Sequence, residues 1–449
     1  MTGSGRRRPR RITLVNQFYP PDVSPTAHLA ASLAEHLAAG GDDVTVVTGG
    51  EGYVEGGRRG RPRPSSPVRV VELWTPAMGK ASIAKRLADY VSFLGGATLR
   101  LATMRGQDVV IAMTTPPFVV VAAVVHRILH RRSRVVLWSM DCYPDVIERL
   151  GSRTSGPPGV TVEAPTGRAA LRERWRDRLR PVVSLRRGGP ASNLLRAVNR
   201  WAFRRVDLVV ALDEAMRDLL LDGYGSADGT RPPSRVIPNW EDRARFAGAD
   251  EVEPWSGYAD PALADRFVVL YLGNLGYGHP VRPAVAAAAR LDDAGVAWLF
   301  VGGGARWDEL EQAARKAGAQ DRIVRRPYVD RDATREIMAG AGCALILLDD
   351  DALGLMSPSK LHANLAAGLP ILYVGPAGSS VDAAIERFGC GVSLRSGDVD
   401  GLVAAVERLR DDAAWRAELS AGARRAFAEA YCDEAALPLW DAAVDGVLS

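Results

Sequence analysis

A glycine-rich loop with an amide side chain follows one of the apolar runs in the second half of the chain. Gly273, Asn274 and Gly276 come directly after the run at 268–272. Without side chains in the way, backbone N–H groups can approach a phosphate closely, and the start of a following helix favours negative charge. A tight turn that needs a positive φ would have the same composition, so this loop taken alone fits either interpretation.

A second glycine loop follows the next apolar run. Gly302, Gly303 and Gly304 come directly after residues 297–301. Three residues without side chains let a flat base or a phosphate lie against the main chain, although a plain loop would look the same. The two loops taken together favour a nucleotide site.

A lysine at the start of a predicted helix adds positive charge. Ser357 can cap that helix, Pro358 suits its first position, and Ser359 and Lys360 follow. Exposed N–H groups at the helix start and the Lys360 ammonium would together bind a diphosphate. The alternative is an ordinary capped helix with a solvated lysine.

Glycine and hydroxyl residues also follow the apolar run at 371–374. Gly375 and Ser379 belong to the segment GPAGSS, whose hydroxyls and N–H groups would bind a sugar or a phosphate. An ordinary loop and N-cap before the next helix fits equally well.

Two carboxylates follow an apolar run in the first half of the chain. Asp141 and Asp145 come just after residues 135–138. A carboxylate at the carboxyl end of a buried strand points into the crevice where ligands bind, where it would bind acceptor hydroxyls or act as a base. The alternative is an aspartate in a turn before a capped helix.

No set of residues predicts a metal site. His126 and His130 have a zinc-like spacing, but residues 126–132 supply no carboxylate and are typical of the basic end of a buried helix. The acidic run at 349–351 is more typical of a solvated loop than of a Mg²⁺ site. We therefore expect neither a metal nor a cofactor.

The elements that must position these residues form two series of short apolar runs separated by helical stretches. The runs lie at 12–15, 44–47, 68–73, 108–112, 134–138 and 206–211, and then at 268–272, 297–301, 322–324, 343–348 and 371–374. Most lack strict alternation, as expected for parallel strands covered on both faces. They predict an α/β protein of two doubly wound, Rossmann-like lobes with a cleft between them.

The predicted domain boundaries lie where this alternation of apolar runs and helical stretches is interrupted. We expect an N-terminal lobe at 11–240, a polar irregular linker at 241–265, a second lobe at 266–430 and a final helix at 431–449. Residues 152–190 interrupt the first lobe with five glycines and five prolines among many arginines, which indicates a basic insertion.

The composition favours a reducing compartment. The 449 residues are 47% hydrophobic, and the four cysteines lie far apart, which argues against a disulfide framework. The basic N-terminus lacks the apolar stretch of a signal peptide. The most apolar window, at 109–125, contains two adjacent prolines and is short for a membrane span. We therefore expect a cytoplasmic protein.

The net charge of +4 conceals a basic centre, because residues 152–205 contain thirteen arginines against three acidic residues. Together with Lys80, Lys85 and Arg86, beside the largely apolar stretch at 87–101, this segment would suit an anionic membrane surface. It would then hold the protein on the inner face of the cell membrane. A solvated basic loop is the alternative, and nothing indicates a nucleic-acid partner.

In this order, the segments of the chain resemble the retaining GT-B glycosyltransferases of the group-1 or family-4-like type, which build bacterial surface polysaccharides, lipopolysaccharides and glycolipids. The resemblance spans residues 11–445. The segments that carry it are QFYPPDVSPTAHLAASLAEHLAAGGDDVTVVTG, VVIAMTTPPF, WSMDCYPDVIERLG, VDLVVALDEAMRDLL, VIPNW, VVLYLGNLG, FVGGG and SPSKLHANLAAGLPIL.

The resemblance implies that the second lobe binds a nucleoside diphosphate sugar and the first a sugar or lipid-linked acceptor, with retention and without a metal ion. The implied site residues are Gly273, Asn274, Gly276, Ser357, Ser359, Lys360, Gly375 and Ser379 for the diphosphate and sugar, Gly302, Gly303, Gly304, Arg326 and Tyr328 for the base, and Thr26, Asp141 and Asp145 on the acceptor side. Asp141 and Lys360 are the predicted catalytic residues. The final helix would cross back to the first lobe.

Two glutamates that this family often carries are missing, since the aligned positions are Leu355 and Ala363. The second glutamate normally holds the ribose, and losing one charge-assisted hydrogen bond costs about 1.5–3 kcal/mol. Arg282 would replace the basic residue usual after the first glycine loop. A subgroup that handles the ribose differently, a catalytically silent homologue that partners an active transferase, and a sugar-nucleotide epimerase are the alternatives.

Overall fold

The structure is a computed structural model. It describes residues 8–22, 24–50, 67–76, 83–150, 188–225, 231–291, 295–330 and 333–449, with the backbone alone at 83–87 and 250. Most of the predicted insertion at 152–190 lies outside the described residues. The described chain confirms the prediction of two Rossmann-like lobes, each built on a parallel sheet.

The first lobe contains a seven-stranded sheet. Its elements are β1 (Arg11–Val15), α1 (Pro25–Ala39), β2 (Asp43–Gly49), β3 (Arg69–Leu73), α2 (Ile83–Thr103), β4 (Val109–Ala112), α3 (Val120–Leu129), β5 (Arg134–Trp138), α4 (Asp145–Leu150), α5 (Pro190–Phe203), β6 (Leu208–Ala211), α6 (Glu214–Tyr224) and β7 (Ser234–Val236). The strand order is β3-β2-β1-β4-β5-β6-β7. Strand β4 is buried along its whole length, whereas the edge strand β3 is only partly covered.

The second lobe contains a six-stranded sheet with the order β10-β9-β8-β11-β12-β13. Its elements are β8 (Phe267–Asn274), α7 (Arg282–Arg290), β9 (Val296–Gly303), α8 (Trp307–Lys316), β10 (Ile323–Arg326), α9 (Ala333–Ala339), β11 (Cys343–Leu347), α10 (Lys360–Ala366), β12 (Ile371–Val374), α11 (Ser380–Phe388), β13 (Gly391–Leu394), α12 (Val399–Asp411), α13 (Ala413–Ala426) and α14 (Asp433–Leu448). In both lobes the strand order reverses beside the first strand, where doubly wound sheets bind ligands.

Local sequence signals explain where helix α1 begins and which face it buries. The hydroxyl of Ser24 accepts a hydrogen bond from the N–H of Ala27 at 3.2 Å, and Pro25 occupies the first helical position. Leu33 and Leu37, four residues apart, are buried on the sheet side. None of the described helices is both long and apolar enough to cross a bilayer.

The final helix, α14, packs against the first lobe. Asp445 Oδ1 accepts a hydrogen bond from Arg10 Nη1 at 2.7 Å. Trp440 is fully buried, and its ring centroid lies 4.6 Å from that of Trp138 at the end of β5. The last residues of the chain therefore belong to the core that supports the first lobe.

Candidate functional site

The carboxyl edges of the two sheets face each other, because loops that follow their strands are in contact. Asp141, which follows β5, forms an isolated antiparallel bridge with Met356, which precedes α10. Asp213, which follows β6, accepts hydrogen bonds from Ser380 at the start of α11. The predicted site residues of the two lobes therefore lie on opposite sides of one interlobe cleft.

Lys360 lies at the centre of the second lobe's side of the cleft. Its Nζ donates a hydrogen bond to the carbonyl oxygen of Asn274 at 3.0 Å and lies 4.9 Å from the ring centroid of Tyr271. A Cβ added to Gly273, whose φ is 115°, would lie 3.5 Å from the Lys360 side chain. The structure thus brings together the first glycine loop and the lysine of the predicted diphosphate site.

Burial in the cleft lowers the pKa of Lys360 to about 8 by desolvation, although its side chain is still partly exposed. No carboxylate of the described residues pairs with it. The ammonium is therefore available to an anionic ligand, and a bound diphosphate would raise its pKa again.

Gly302 and Gly304 allow the two glycine loops to pack against each other. A Cβ on Gly302 would lie 2.3 Å from the carbonyl oxygen of Gly273, and one on Gly304 would lie 2.5 Å from Asn274 Oδ1. Both glycines have φ above 130°, a conformation that other residues rarely adopt. These glycines build the floor of the site, whatever binds above it.

Tyr328 presents an aromatic ring beside this floor. It is 62% exposed, and its hydroxyl donates to Asn274 Oδ1 at 3.2 Å. A Cβ on Gly303 would lie 2.9 Å from the ring. An exposed ring next to a bare main chain is suited to stacking against a flat base.

Asp141 lies on the first lobe's side of the cleft without a partner for its carboxylate among the described residues. The hydroxyl oxygen of Thr114 accepts hydrogen bonds from the N–H groups of Met140 and Asp141 at 2.9 and 3.2 Å, which fixes the loop. Desolvation raises the pKa of Asp141 to about 6. An unpaired, half-buried carboxylate at such an edge is available to an acceptor hydroxyl.

Comparison with known proteins agrees with this arrangement. Residues 26–240 match the model of the glycosyl transferase 4-like domain. Over 413 residues, 89% of this chain and 91% of the relative, the chain is 24% identical to WcaI of Escherichia coli K12, which is named as a colanic acid biosynthesis glycosyl transferase. The chain is therefore similar to glycosyltransferases along most of its length.

Solved structures support the same fold at low sequence identity. Sucrose-phosphate synthase of Thermosynechococcus elongatus superimposes with a TM-score of 0.67 at 16% identity, covering 98% of this chain and 99% of that one. Anabaena HepE in complex with UDP and glucose superimposes with a TM-score of 0.64 at 14% identity, covering 97% of this chain and 99% of that one.

The start of α10 differs from the prediction. Ser359, not Ser357, is the N-cap, and it makes no side-chain capping hydrogen bond. Ser357 Oγ instead lies 2.8 Å from Ser380 Oγ, because the two loops meet at the cleft. Ser359 is exposed next to Lys360 and can still reach a ligand, whereas the Ser357 hydroxyl bridges two loops.

Gly375 and Ser379 have structural roles that account for their residue types. A Cβ on Gly375 would lie 2.5 Å from the Tyr373 hydroxyl oxygen. Ser379 is 2% exposed and caps α11 by accepting from the N–H of Asp382 at 3.1 Å. The interpretation of this segment as a loop and helix cap explains both residue types.

Arg326 forms an ion pair with the linker. Its guanidinium pairs with Asp260, so its charge is already neutralised. Gly276, by contrast, lies in the first loop, where its carbonyl oxygen accepts from the N–H of His279 at 3.1 Å. The base-side residues that the structure brings together are therefore the three glycines and Tyr328.

Asp145 is not free to bind an acceptor. It is 4% exposed, and its two carboxylate oxygens accept from Arg196 and from the hydroxyl of Tyr224. A carboxylate with both oxygens occupied inside the lobe orients α4 and α5. Thr26 lies in the first turn of α1, where its Oγ1 is 3.3 Å from Ser24 Oγ.

Two residues that were not predicted from the sequence contribute to the site. Asp213 caps α6 by accepting from the N–H of Met216 at 2.8 Å and also bonds to the second lobe. Arg306 Nε donates to the carbonyl oxygen of Tyr277 at 3.1 Å, which holds the first glycine loop. The cap signal of Asp213 is readable in the sequence, but its partner across the cleft is not.

The positions of the two absent glutamates are part of the packing. Leu355 is fully buried, and Ala363 packs against the core. Neither side chain has a polar atom that could form a hydrogen bond with a ribose. Within the described residues, no group of three or more His, Cys, Asp or Glu is arranged to hold a metal ion.

Proposed function

We propose that this protein is a glycosyltransferase that transfers a sugar from a nucleoside diphosphate sugar to an acceptor hydroxyl, with retention and without a required metal ion. The observation that carries the proposal is the unpaired Lys360 ammonium against the Gly273–Asn274 turn, facing the unpaired Asp141 carboxylate of the other lobe. The bound UDP and glucose in HepE, a protein of the same fold, support the nucleotide sugar. WcaI supports a role in surface polysaccharide or glycolipid synthesis.

In this proposal Lys360 stabilises the negative charge that develops on the leaving diphosphate. A preorganised cation in a partly desolvated site acts most strongly where charge appears in the transition state. Charge neutralisation by Lys360 and by N–H groups of the glycine loop would take the place of a metal. The pKa of Lys360 near 8 still leaves most of the side chain protonated at pH 7.

Asp141 would bind the acceptor hydroxyl as it attacks. Its raised pKa of about 6 gives a carboxylate that is ionised at pH 7 yet more basic than an ordinary aspartate. Thr114 holds the backbone of this loop and thereby orients the carboxylate.

We further propose a lipid-linked acceptor and a position on the cytoplasmic, inner face of the cell membrane. The basic composition of residues 152–205 supports this clause. Lys80 and the side chains of Lys85 and Arg86 lie outside the described part of the structure.

The test of the donor is calorimetry of the whole chain with UDP-, GDP- and TDP-sugars, followed by mass spectrometry of products with candidate acceptors. Binding of one donor class and acceptor-dependent transfer are expected. Failure to bind any donor would indicate a silent partner of another transferase, which Leu355 and Ala363 favour. Conversion of donor without acceptor would indicate an epimerase.

A further inference from the structure

A small pocket lies beside Asp141 in the first lobe. Its apolar walls come from the loop after β4, from strand β5 and from helices α5 and α6, and they include Met113, Leu137, Phe203 and Leu220. These four side chains are almost fully buried, so they belong to the packed core of the lobe. The shape of the pocket is therefore fixed by the core and does not depend on a mobile surface loop.

The size of the pocket limits what can enter it. The cavity has a volume of about 20 Å³, which is enough for one water molecule or one methyl group. An isoprene unit or an aromatic ring is too large. A water molecule needs two to four polar partners, which the apolar walls do not offer, so a methyl group is the better match.

Polar groups at the rim of the pocket are bonded within the protein, with one exception. The hydroxyl oxygen of Thr114 accepts from the N–H groups of Met140 and Asp141, and Asn199 Nδ2 donates to the carbonyl oxygen of Tyr143. The exception is the carboxylate of Asp141, which has no partner among the described residues. The rim therefore offers one acidic group to a ligand whose apolar part lies in the pocket.

The charge of the pocket excludes a phosphate. None of the described residues that line it is a lysine or an arginine. A phosphate group is normally bound by such cations or by several N–H groups. The phosphate of a lipid-linked acceptor would therefore lie elsewhere, and the pocket is left to the sugar.

Backbone strain at Phe118 marks the same place. Its φ is 66°, which is uncommon for a bulky residue. Phe118 also lines the pocket. Strained conformations of this kind persist where the surrounding structure holds them, and they are concentrated at functional sites. The strain favours a ligand site over a chance packing defect.

From these observations we infer that this pocket selects acceptor sugars that carry a methyl group. The inference rests on the role proposed for Asp141, because the residue that would bind the attacking hydroxyl also lines the pocket. The methyl group therefore belongs to the same sugar residue as that hydroxyl. Sugars without the methyl would leave the pocket unfilled or place a hydroxyl against apolar walls without a partner.

Two classes of sugar supply such a methyl group, and binding measurements distinguish them. Free sugars are titrated into the whole chain without donor and followed by saturation-transfer NMR. We expect N-acetylglucosamine to bind at least about fourfold more tightly than N-formylglucosamine, which lacks the methyl, and than N-propionylglucosamine, which is larger by one methylene. A 6-deoxysugar as the source predicts the same preference for L-fucose over L-galactose. A lack of preference in both sets, or no binding of any of these sugars, would overturn the inference.

Substitutions of Leu220 in opposite directions test the pocket itself. Leu220→Ala widens it, so the larger sugar of the selected set, N-propionylglucosamine or L-galactose, should bind at least as well as the methyl sugar. Leu220→Phe fills it and should weaken binding of the methyl sugar by at least about fourfold.

The matched controls are Leu221→Ala and Leu221→Phe. Leu221 is the next residue of α6, is also buried, and lies outside the described lining of the pocket. These variants should keep the preference of the parent. The ratio of two dissociation constants does not depend on how much of a variant is folded, so a loss of stability cannot imitate the result. Equal changes at both positions, or unchanged ratios in both Leu220 variants, would contradict the inference.

The outcome is separable from that of the proposed function. Donor binding measured by calorimetry tests the transferase proposal alone. A methyl preference that the Leu220 variants change, without binding of any donor, would keep the pocket and remove the proposed donor. Donor binding and transfer without a methyl preference would remove only the pocket.

Discussion

At the scale of single residues, Lys360 is the group on which the proposed chemistry depends. Among the described residues, its ammonium contacts a carbonyl oxygen and an aromatic face, and no acidic group there competes with a diphosphate. We expect Lys360→Ala to lower kcat at least about tenfold, the scale of one lost charge-assisted contact. Steady-state kinetics of the variant and the parent would measure this decrease in kcat.

The matched control for that variant is Lys316→Ala, which removes an exposed lysine at the end of α8. It should leave kcat unchanged. Unchanged turnover in Lys360→Ala, with normal folding by circular dichroism, would remove the diphosphate role from this residue.

The shifted pKa values of two groups predict a bell-shaped dependence of kcat/KM on pH. Asp141 loses its negative charge as the pH falls through about 6, and Lys360 loses its positive charge as the pH rises through about 8. Both changes remove the ionic form that the mechanism uses, so the rate should fall on each side. The residual activity of Asp141→Asn should have no acidic limb, and an acidic limb that persists would assign it to another group.

The raised pKa of Asp141 also predicts that this residue lowers stability where it supports activity. Because its pKa is higher in the folded protein than in the unfolded chain, this group favours folding at low pH, and that contribution is lost as the pH rises through 6. Asp141→Asn should therefore raise Tm at pH 8 while it lowers turnover. At pH 4 the two proteins should melt at similar temperatures, and a lower Tm at pH 8 would contradict this explanation.

Residue types alone predicted part of this site. Gly273 and Gly302 lie at the carboxyl ends of β8 and β9, and Lys360 begins the helix that comes after β11. The rule for parallel sheets was therefore enough to bring them together. Ser379 and Arg326 have equally suitable chemistry, but their partners, the N–H of Asp382 and the carboxylate of Asp260, depend on local turns and on the linker path. The sequence contains no signal that distinguishes a hydroxyl used as a cap from one that faces a ligand.

At the scale of elements, the packing of β8 against β9 explains why a glycine of these loops cannot be replaced by a larger residue without strain. Gly302→Ala would place a Cβ 2.3 Å from the carbonyl oxygen of Gly273, on a residue with φ of 139°. We expect a loss of about 1–3 kcal/mol in the free energy of unfolding, measured by chemical denaturation.

A glycine in a helix supplies the control for this prediction. Gly95 lies in the middle of α2, and a Cβ there meets nothing within 4 Å. Gly95→Ala should therefore stabilise the protein by about 0.5–1 kcal/mol. Gly302→Ala that is as stable as the parent would show that the loops can move apart.

Apolar runs predicted most strands because buried parallel strands carry few polar residues. The exceptions are β7 and β13, which are short, lie at sheet edges and are only partly buried. An edge strand covered on one side needs no continuous apolar run, so its sequence resembles a loop.

At the scale of the whole molecule, backbone contacts hold the lobes together beside the cleft. The N–H of Cys142 donates to the carbonyl oxygen of Leu355 at 2.9 Å, and its Sγ lies 3.1 Å from the carbonyl oxygen of Gly354. These contacts join the loop that contains Asp141 to the segment before Lys360. Main-chain contacts of this kind leave no signature in residue type, which is why the sequence predicts two facing lobes but not their points of contact.

A cluster of tryptophans in the core beneath the cleft should couple the unfolding of the two lobes. The Trp138 ring contacts Trp440 of the final helix and Trp240 at the end of the first lobe, with centroids 4.6 and 5.7 Å away. Trp440→Ala should cost about 3–5 kcal/mol and release α14 from the first lobe. Since α14 connects directly to the second lobe, differential scanning calorimetry should then show the first lobe melting earlier, as a separate transition. Trp74→Ala, at a 79% exposed position, should melt like the parent, and a single transition in Trp440→Ala would show that other contacts couple the lobes.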